Sequence, residues 1–548
     1  MITQYFQDLK LEFKNYNRGK LSGDIMAGLT VTAVALPLAL AFGVSSGAGA
    51  ASGIISAIIA GLVMGGFAGA SYQVSGPTGT MIAILATVNA VYGTDGIFIT
   101  GFLAGIFLII ASVFRFGKLV SFIPGPVITG FTSGIAIIIA LGQIDNFFGT
   151  VSSGKTNVEK LLSYGELGFH VNFYAVLIGM LVIAVMILWP KKWNAKVPSS
   201  LAGLIIALIF NNIMNFPVEL VGEIPSTIFL ENRLHLNSFS LNNIFSLISP
   251  ALSIAILCMI ESLLCGASAG KIKNQPLNAD RELVAQGLGN MIIPFFGGIP
   301  SSAVLARTSV GLKSGGQTRL VSIVQSLGLM FSMLFLGGFI SKIPMAALAG
   351  VLMVTAWRMN EWKEIKFIFT RKFKTAILEF VMTMLATVLF DLTIAILLGV
   401  FMGMLIFIVK DTELKIDVSP VDIKRIKGHE VSADYTTTKI VYLTGPLFFV
   451  TSDKLKSIVV HAKDSENIII SMRAVTTIDE TAVIEFKDVV QNIKNNNIAI
   501  LFCGIQPNVK EMFNRAGMME LISEDLVFWD AIEAFKYLEI IQSEAKPI

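Results

Sequence analysis

Two short stretches decide the fold: Ser75-Gly76-Pro77-Thr78-Gly79-Thr80 and Gly298-Ile299-Pro300-Ser301-Ser302-Ala303. Each joins a Gly/Pro break to a run of small, hydroxyl-bearing residues. Each introduces an apolar stretch too short to be an ordinary span, Thr78–Val91 and Ser302–Leu312. A spanning helix needs about 20 apolar residues. Full-length candidates begin near Ile25, Ile54, Ile97, Val120, Phe173, Val197, Phe245, Val284, Val321, Ile343, Ala376 and Leu392. With the two short stretches, the sequence predicts a polytopic α-helical membrane protein of about 14 segments. The short ones become the third element of each half in a seven-plus-seven division. An odd number per half inverts one half relative to the other. Matched interrupted segments mark the binding site of an inverted-repeat transporter.

The composition agrees. Of 548 residues, 54% are hydrophobic and 14% charged, and the mean hydropathy is +0.73. A soluble domain carries roughly 25% charge, so a soluble enzyme, a disordered chain and a nucleic-acid binder are excluded. The charge is uneven. Residues 411–548 hold 15 Lys/Arg and 21 Asp/Glu, leaving 26 and 17 for residues 1–410. The expected organisation is an N-terminal cytoplasmic segment (1–24), a transmembrane transport domain (25–410, repeats about 25–215 and 245–410) and a soluble acidic domain (411–548). Met1–Asp24 carries Lys10, Lys14, Arg18 and Lys20 and reads as a short amphipathic segment, not a cleavable leader.

Loop charges predict the topology. With the N-terminus inside, the inner loops hold Arg115 and Lys118; Lys191, Lys192 and Lys196; Lys271, Lys273 and Arg281; Lys313 and Arg319; and the basic run Arg358 to Lys374. The outer loops hold only Lys155, Lys160, Arg233 and Lys342. Dropping one short segment would invert half the loops and destroy this bias. Both short segments therefore cross or half-cross, and the acidic domain is cytoplasmic in a multi-pass cell-membrane protein.

A half-helix starting near the bilayer middle leaves backbone N–H groups without partners there, and its positive dipole end faces the gap. Two such ends make an anion site, where irregular backbone is tolerated because it lines a cavity. Gly79 allows close approach of a ligand, and Thr78 and Thr80 add hydroxyl donors. The bland alternative is that Gly and Pro only kink ordinary spans.

Ionisable residues inside spans are costly and usually functional. Glu261 and Arg307 qualify. They could form a structural ion pair. They could instead hold separate jobs: Arg307 adding fixed positive charge beside the helix ends, and Glu261, desolvated, taking a proton to couple transport. Asp391 is expected at a solvated outer boundary, and Glu379 near a cytoplasmic end, free to snorkel. Pro37 is expected to kink or unwind the first segment. Cys258, Cys265 and Cys503 read as buried reduced thiols. His170, His235, His429 and His461 are scattered. No metal cluster, Walker motif, nucleophile–base set or cofactor site is visible, so neither an enzyme nor a cofactor is expected.

The run Asp24-Ile25-Met26-Ala27-Gly28-Leu29-Thr30 through Leu36-Pro37-Leu38-Ala39-Leu40-Ala41-Phe42 resembles the opening of SulP anion transporters (the sulfate permease type). Ser75–Gly79, Glu261–Leu264, the long run Asn278–Asn290 and Phe296–Pro300 through Arg307-Thr308 are similar to the same family. The resemblance implies a seven-plus-seven inverted repeat with core and gate subdomains, a homodimer, elevator-like motion and a cytoplasmic STAS domain. It implies an anion between segments three and ten, near Phe42, Thr78, Gly79, Ala306 and Arg307. Family substrates include sulfate, bicarbonate, chloride, oxalate and dicarboxylates. Ala39–Ala50 is also very similar to the cyanobacterial sodium-dependent bicarbonate branch. That branch has Asp where this chain has Glu261, and a Gly-Ala-Thr run where this chain has Ala303-Val304-Leu305. Protons are therefore expected as coupling ion in preference to sodium.

In the tail, Lys439–Val450 alternates like strands around Gly445-Pro446. Asn467–Met472 and Ile498–Cys503 read as buried strands, and Asp479–Lys494, Val509–Ala516 and Trp529–Glu539 as helices. This α/β pattern resembles a STAS domain, whose partner the sequence does not name. Thr481, where related domains carry a phosphorylatable residue before Gly, is a possible regulatory site but is expected to cap a helix. The leading expectation is a secondary active transporter of small inorganic anions, most of all sulfate, by proton symport or exchange. The alternatives are a sodium-dependent bicarbonate transporter, a nucleobase transporter of the same fold, a channel-like conductance, and a membrane sensor signalling through its STAS domain.

Overall fold

Apolar runs become helices, several of which start directly behind a Gly or Pro, such as Gly49, Pro124, Pro198 and Pro344. The computed structural model describes residues 2–117, 124–154, 157–190, 193, 197–235, 241–390, 392–421 and 437–544. The chain divides into two units, 1–403 and 404–548.

In the first unit the helices are α1 (Ile2–Glu12), α2 (Arg18–Ser45), α3 (Ala50–Phe67), α4 (Gly79–Val113), α5 (Gly125–Gly142), α6 (Ile144–Phe148), α7 (Asn157–Leu167), α8 (Phe173–Leu188) and α9 (Ser199–Met214). The second half continues with α10 (Leu241–Lys273), α11 (Ala279–Ile292), α12 (Leu305–Lys313), α13 (Leu320–Ile340), α14 (Met345–Met359), α15 (Trp362–Thr370), α16 (Lys374–Leu389) and α17 (Leu392–Asp411), which runs into the second unit. Two strands interrupt them, β1 (Ser75–Gly76) and β2 (Ser302–Ala303).

The 14 predicted segments all correspond to helical stretches. Among the described residues, six helices are long and apolar enough to cross a membrane by length and composition: those at Arg18–Ser45, Ala50–Phe67, Gly79–Val113, Gly125–Phe148, Ile244–Lys273 and Leu320–Ile340. α4 holds segments three and four, because Gly93 at φ +67° breaks it into two helices. Only glycine takes that conformation without strain. α2 stays helical through Pro37, which corrects the expected unwinding. Glu379 is buried and does not snorkel to water. Asp391 and His429 lie outside the described residues. His170, His235 and His461 are exposed, and all three cysteines are free and buried.

The fold is a seven-plus-seven inverted repeat. One bundle gathers α2, α3, α4 and α10–α13, with α11 against α4 and α3, and α13 against α2 and α3. The other gathers α5, α8, α9, α14 and α16, with α5 against α16 and α14 against α8. These are the core and gate subdomains. Small residues bring the core helices close: a Cβ at Gly53 would stand 1.9 Å from the Ala39 carbonyl oxygen.

α1 is docked on the core helices. Tyr5 donates to the Gly66 carbonyl at 3.0 Å. Glu12 accepts from the backbone N–H and Nε of Arg319 at 2.8 and 2.9 Å, Asp8 pairs with Arg281, and both guanidinium groups lie within 6 Å of the Tyr5 ring.

The second unit is an α/β STAS domain. Its sheet has the order β3 (Lys415–Pro420), β4 (Thr438–Thr444), β5 (Asn467–Ala474), β6 (Ala499–Cys503), β7 (Val527–Phe528). β3 pairs antiparallel with β4, and the rest are parallel. The helices are α18 (Ser452–Ala462), α19 (Glu480–Asn495), α20 (Pro507–Arg515), α21 (Met518–Ile522) and α22 (Ala531–Glu544). Successive β5 residues take opposite faces. Ile468 and Ile470 join the core under α18 and α19, and Ile469 joins Phe535 and Leu538 of α22. Beyond Thr444 the chain turns into α18, so Lys439–Val450 holds one strand and not two.

Candidate functional site

The two breaks named in the sequence meet. β1 and β2 pair antiparallel, with Ser75 opposite Ala303 and Gly76 opposite Ser302. An antiparallel pair has a local two-fold axis, which is the symmetry that relates inverted repeats. The Val304 N–H donates to the Val74 carbonyl at 3.0 Å, and the Val74 N–H donates to Thr308 Oγ1 at 3.1 Å. Directly after the strands, α4 begins behind Thr78 and α12 behind Val304. Neither end is capped by a side chain. The first-turn amides of both helices therefore keep their donor capacity beside the ladder.

Glu261 on α10 accepts a hydrogen bond at Oε2 from Ser302 Oγ. Thr78 and Thr80 hydroxyls stand 2.8 Å apart beside the same carboxyl. Arg307, on the first turn of α12, is fully buried. Its Nη2 donates to the Pro77 carbonyl at 3.2 Å, while Nε and Nη1 have no hydrogen-bond partner among the described residues. Among the described residues no ion pair involves Arg307 or Glu261; each bonds elsewhere. The expected alternative of a structural pair is thereby corrected. A buried guanidinium with two idle donors and no counter-ion has strong unspent capacity for an anion.

Glycine is required on both sides. A Cβ on Gly76 would stand 1.9 Å from Arg307 Nη1 and 3.2 Å from Cζ, so the guanidinium points its Nη1 end at bare backbone. A Cβ on Gly79 would meet Ile139 Cδ1 at 2.7 Å, Phe42 Cε1 at 3.4 Å and Met359 Sδ at 3.6 Å. Phe42 thus stands at the α4 start as an apolar wall, joined by Ile139 of α5 and Met359 of α14.

The structure brings Phe42, Thr78, Gly79, Thr80, Glu261 and Arg307 to one neighbourhood. Ala306 is exposed, unlike its buried neighbour Arg307. Sequence reasoning missed the roles of Gly76 and Ser302, although both lie in the quoted stretches. It also missed Ile139 and Met359, which sit in ordinary apolar runs and carry no local signal. In the STAS domain, Thr481 does not cap α19. Asp479 does, accepting from the Ala482 N–H at 2.8 Å, and Thr481 is exposed two residues further on.

The sulfate permease family model matches residues 21–387, and the STAS domain model matches residues 431–533. The chain is 31% identical over 538 residues to YvdB of Bacillus subtilis, provisionally named a sulfate transporter, covering 94% of this chain and 97% of that one. Among solved structures it is similar to the transmembrane domain of a cyanobacterial bicarbonate transporter, BicA (TM-score 0.64, 26% identity, 71% of this chain and 98% of that one). It shares its fold with the murine Slc26a9 anion transporter (TM-score 0.82, 17% identity, 96% and 93% covered).

Proposed function

The chain belongs to the sulfate permease family of anion transporters, and on that premise we propose that it moves small inorganic anions, sulfate first, by secondary active transport. The observation that carries this reading is the fully buried Arg307, with two idle donors between two uncapped helix starts. An oxyanion fits such a site because it can accept from the guanidinium, from first-turn amides and from the Thr78 and Thr80 hydroxyls together.

Glu261 supplies the coupling in this reading. Its carboxyl touches Ser302 of β2 and lies beside Thr78 and Thr80, so its charge acts on both half-helices at once. A proton on Glu261 removes a negative charge from beside the incoming anion. Proton and anion then enter together, and the loaded core moves against the gate helices carrying Ile139 and Met359, in an elevator-type exchange of access. The same reading puts the N-terminus and the STAS domain on the cytoplasmic side and two chains in a dimer.

A second reading, sodium-linked bicarbonate transport, is favoured by the likeness to BicA and opposed by Ala303-Val304-Leu305, which offers no hydroxyl ligand. The deciding test is uptake of radiolabelled sulfate into liposomes holding the purified full chain. An inward proton gradient is applied first, then sodium, then bicarbonate as competitor. Proton-driven sulfate uptake is expected. Sodium-dependent bicarbonate flux without sulfate uptake would replace the first reading by the second.

A further inference from the structure

The run Asn278–Asn290 is long and specific, yet nothing in the anion site uses it directly. α11 carries three fully buried polar side chains at four-residue spacing: Glu282, Gln286 and Asn290. Four residues advance a helix by about 6 Å, so the three stand one above another on one face. Gln286 and Asn290 each reach one of the two broken segments, and Glu282 reaches the loop that leads into the first. Glu282 accepts from the Gly69 N–H at 2.8 Å. Gln286 Nε2 donates to Ser75 Oγ at 3.0 Å and to Glu282 Oε1 at 2.7 Å. Asn290 makes a two-point clamp on Ser301: Nδ2 donates to its carbonyl at 2.9 Å, and Oδ1 accepts from its N–H at 2.8 Å.

We infer that Gln286 and Asn290 are positioning residues that set the register of the β1–β2 ladder and thereby the geometry of the anion site. The ladder is two residues long on each side, and so short a two-stranded ribbon does not hold its own register. Register is decisive here. A slip of one residue turns every strand side chain to the opposite face. Ser302 would then leave Glu261, and Gly76 would leave the Arg307 guanidinium. α11 supplies what the ladder lacks. Gln286 holds Ser75 of β1 and Asn290 holds Ser301, the residue directly before β2, so one helix face pins both arms of the ladder at once. Asn290 does this by presenting its amide as a neighbouring strand would present its backbone. Gln286 is in turn held by Glu282, and its Oε1 accepts from Cys258 Sγ at 3.7 Å.

The link from register to anion affinity rests on the transport reading above, so the test has one arm independent of it. In the full chain with Cys258, Cys265 and Cys503 replaced by serine, two cysteine pairs are compared under a membrane-permeant oxidant. Ser75→Cys with Ala303→Cys reports the native register. Ser75→Cys with Val304→Cys reports a slip of one. The native pair is expected to cross-link in preference. Because Ser75→Cys weakens the Gln286 bond itself, this arm reads Asn290. Asn290→Ala should reduce the native-to-slipped ratio by about thirty-fold, the scale of the two lost hydrogen bonds of the clamp. Asn290→Asp, which keeps the acceptor for the Ser301 N–H, should restore part of it. An unchanged ratio would overturn the assignment for Asn290.

The second arm measures sulfate and bicarbonate uptake by Gln286→Leu in liposomes. KM is expected to rise by about ten-fold or more, with kcat within about two-fold, because a misplaced site loses binding geometry first. A lowered thermal midpoint with unchanged KM would reduce Gln286 to a packing role and overturn its assignment. If the unaltered chain takes up neither anion, the transport reading fails, and the cross-linking ratio still decides whether α11 sets the register.

Discussion

Arg307 Nη2 and the Pro77 carbonyl oxygen stand 3.2 Å apart, and this bond ties the second broken segment to the break of the first. The two residues are 230 positions apart. The cation is held by a neutral carbonyl and not by an acid, so its charge is left for something else.

Removing that charge should therefore affect binding more than folding. Arg307→Ala is expected to leave the anion-free Tm unchanged or higher, since a desolvated, uncompensated cation is itself costly. The rise in Tm on adding sulfate should disappear, as a ligand stabilises only in proportion to its occupancy. Thermal scans with and without sulfate check this. A variant that keeps the sulfate-dependent rise would refute the charge role.

Glu261→Gln keeps an acceptor for Ser302 and loses the ability to take a proton. Uptake by this variant should become insensitive to an imposed pH gradient. Anion exchange at symmetric pH should persist. If uptake still follows the proton gradient, the proton carrier lies elsewhere.

Gly76→Ala would drive a methyl group into Arg307 Nη1. Overpacking of this kind costs about 1–3 kcal/mol, and here the guanidinium must move. Sulfate affinity is expected to fall by about ten-fold or more, with membrane protein level near normal. Unchanged uptake kinetics would mean that Arg307 can relocate without consequence.

The buried pair of Glu12 and Arg319 should hold α1 in place; their side chains are 8% and 5% exposed. Removing one partner of a buried pair costs about 3–5 kcal/mol. Glu12→Ala should release α1 locally and leave the span helices intact. Hydrogen exchange in residues 5–12 is the measurement. Acceleration by about two orders of magnitude is expected there, against little change in α2.

In the STAS domain, Asp479→Ala removes the cap of α19 and the acceptor for the Phe449 N–H, which lies 2.8 Å from Oδ2. A lost cap costs about 1 kcal/mol. Thr481→Ala should cost far less, because its exposed side chain caps nothing. Hydrogen exchange across the first turn of α19 in the full chain distinguishes the two. Equal protection in both variants would contradict the assignment of Asp479.

The span pattern and the two breaks were legible from local residue chemistry. Apolar runs must be helical in lipid, and Gly93 or Ser75–Gly79 can end a helix whatever surrounds them. Arg307 and Glu261 were legible because charge inside an apolar run is rare. Of the STAS helices, α19, α20 and α22 were legible from their period; α18, α21 and the end of the strand in Lys439–Val450 were not. Its alternation continues past Gly445-Pro446, while the chain there must turn into α18. The cap of α19 was missed because Asp479 and Thr481 are both good capping residues, and only backbone geometry selects Asp479.

The sequence by itself determined how many segments there are, where two of them break, and that Glu261 and Arg307 are charges inside apolar segments, though not that Glu379 is buried as well. Those follow from the cost of burying polar groups, which each residue carries with it. Only the tertiary structure decided that Gly76 faces Ser302, that Phe42, Ile139 and Met359 surround Gly79, and that Arg307 and Glu261 bond to different partners. Those contacts join residues far apart in the chain. They depend on how the inverted halves pack, and no local signal encodes that.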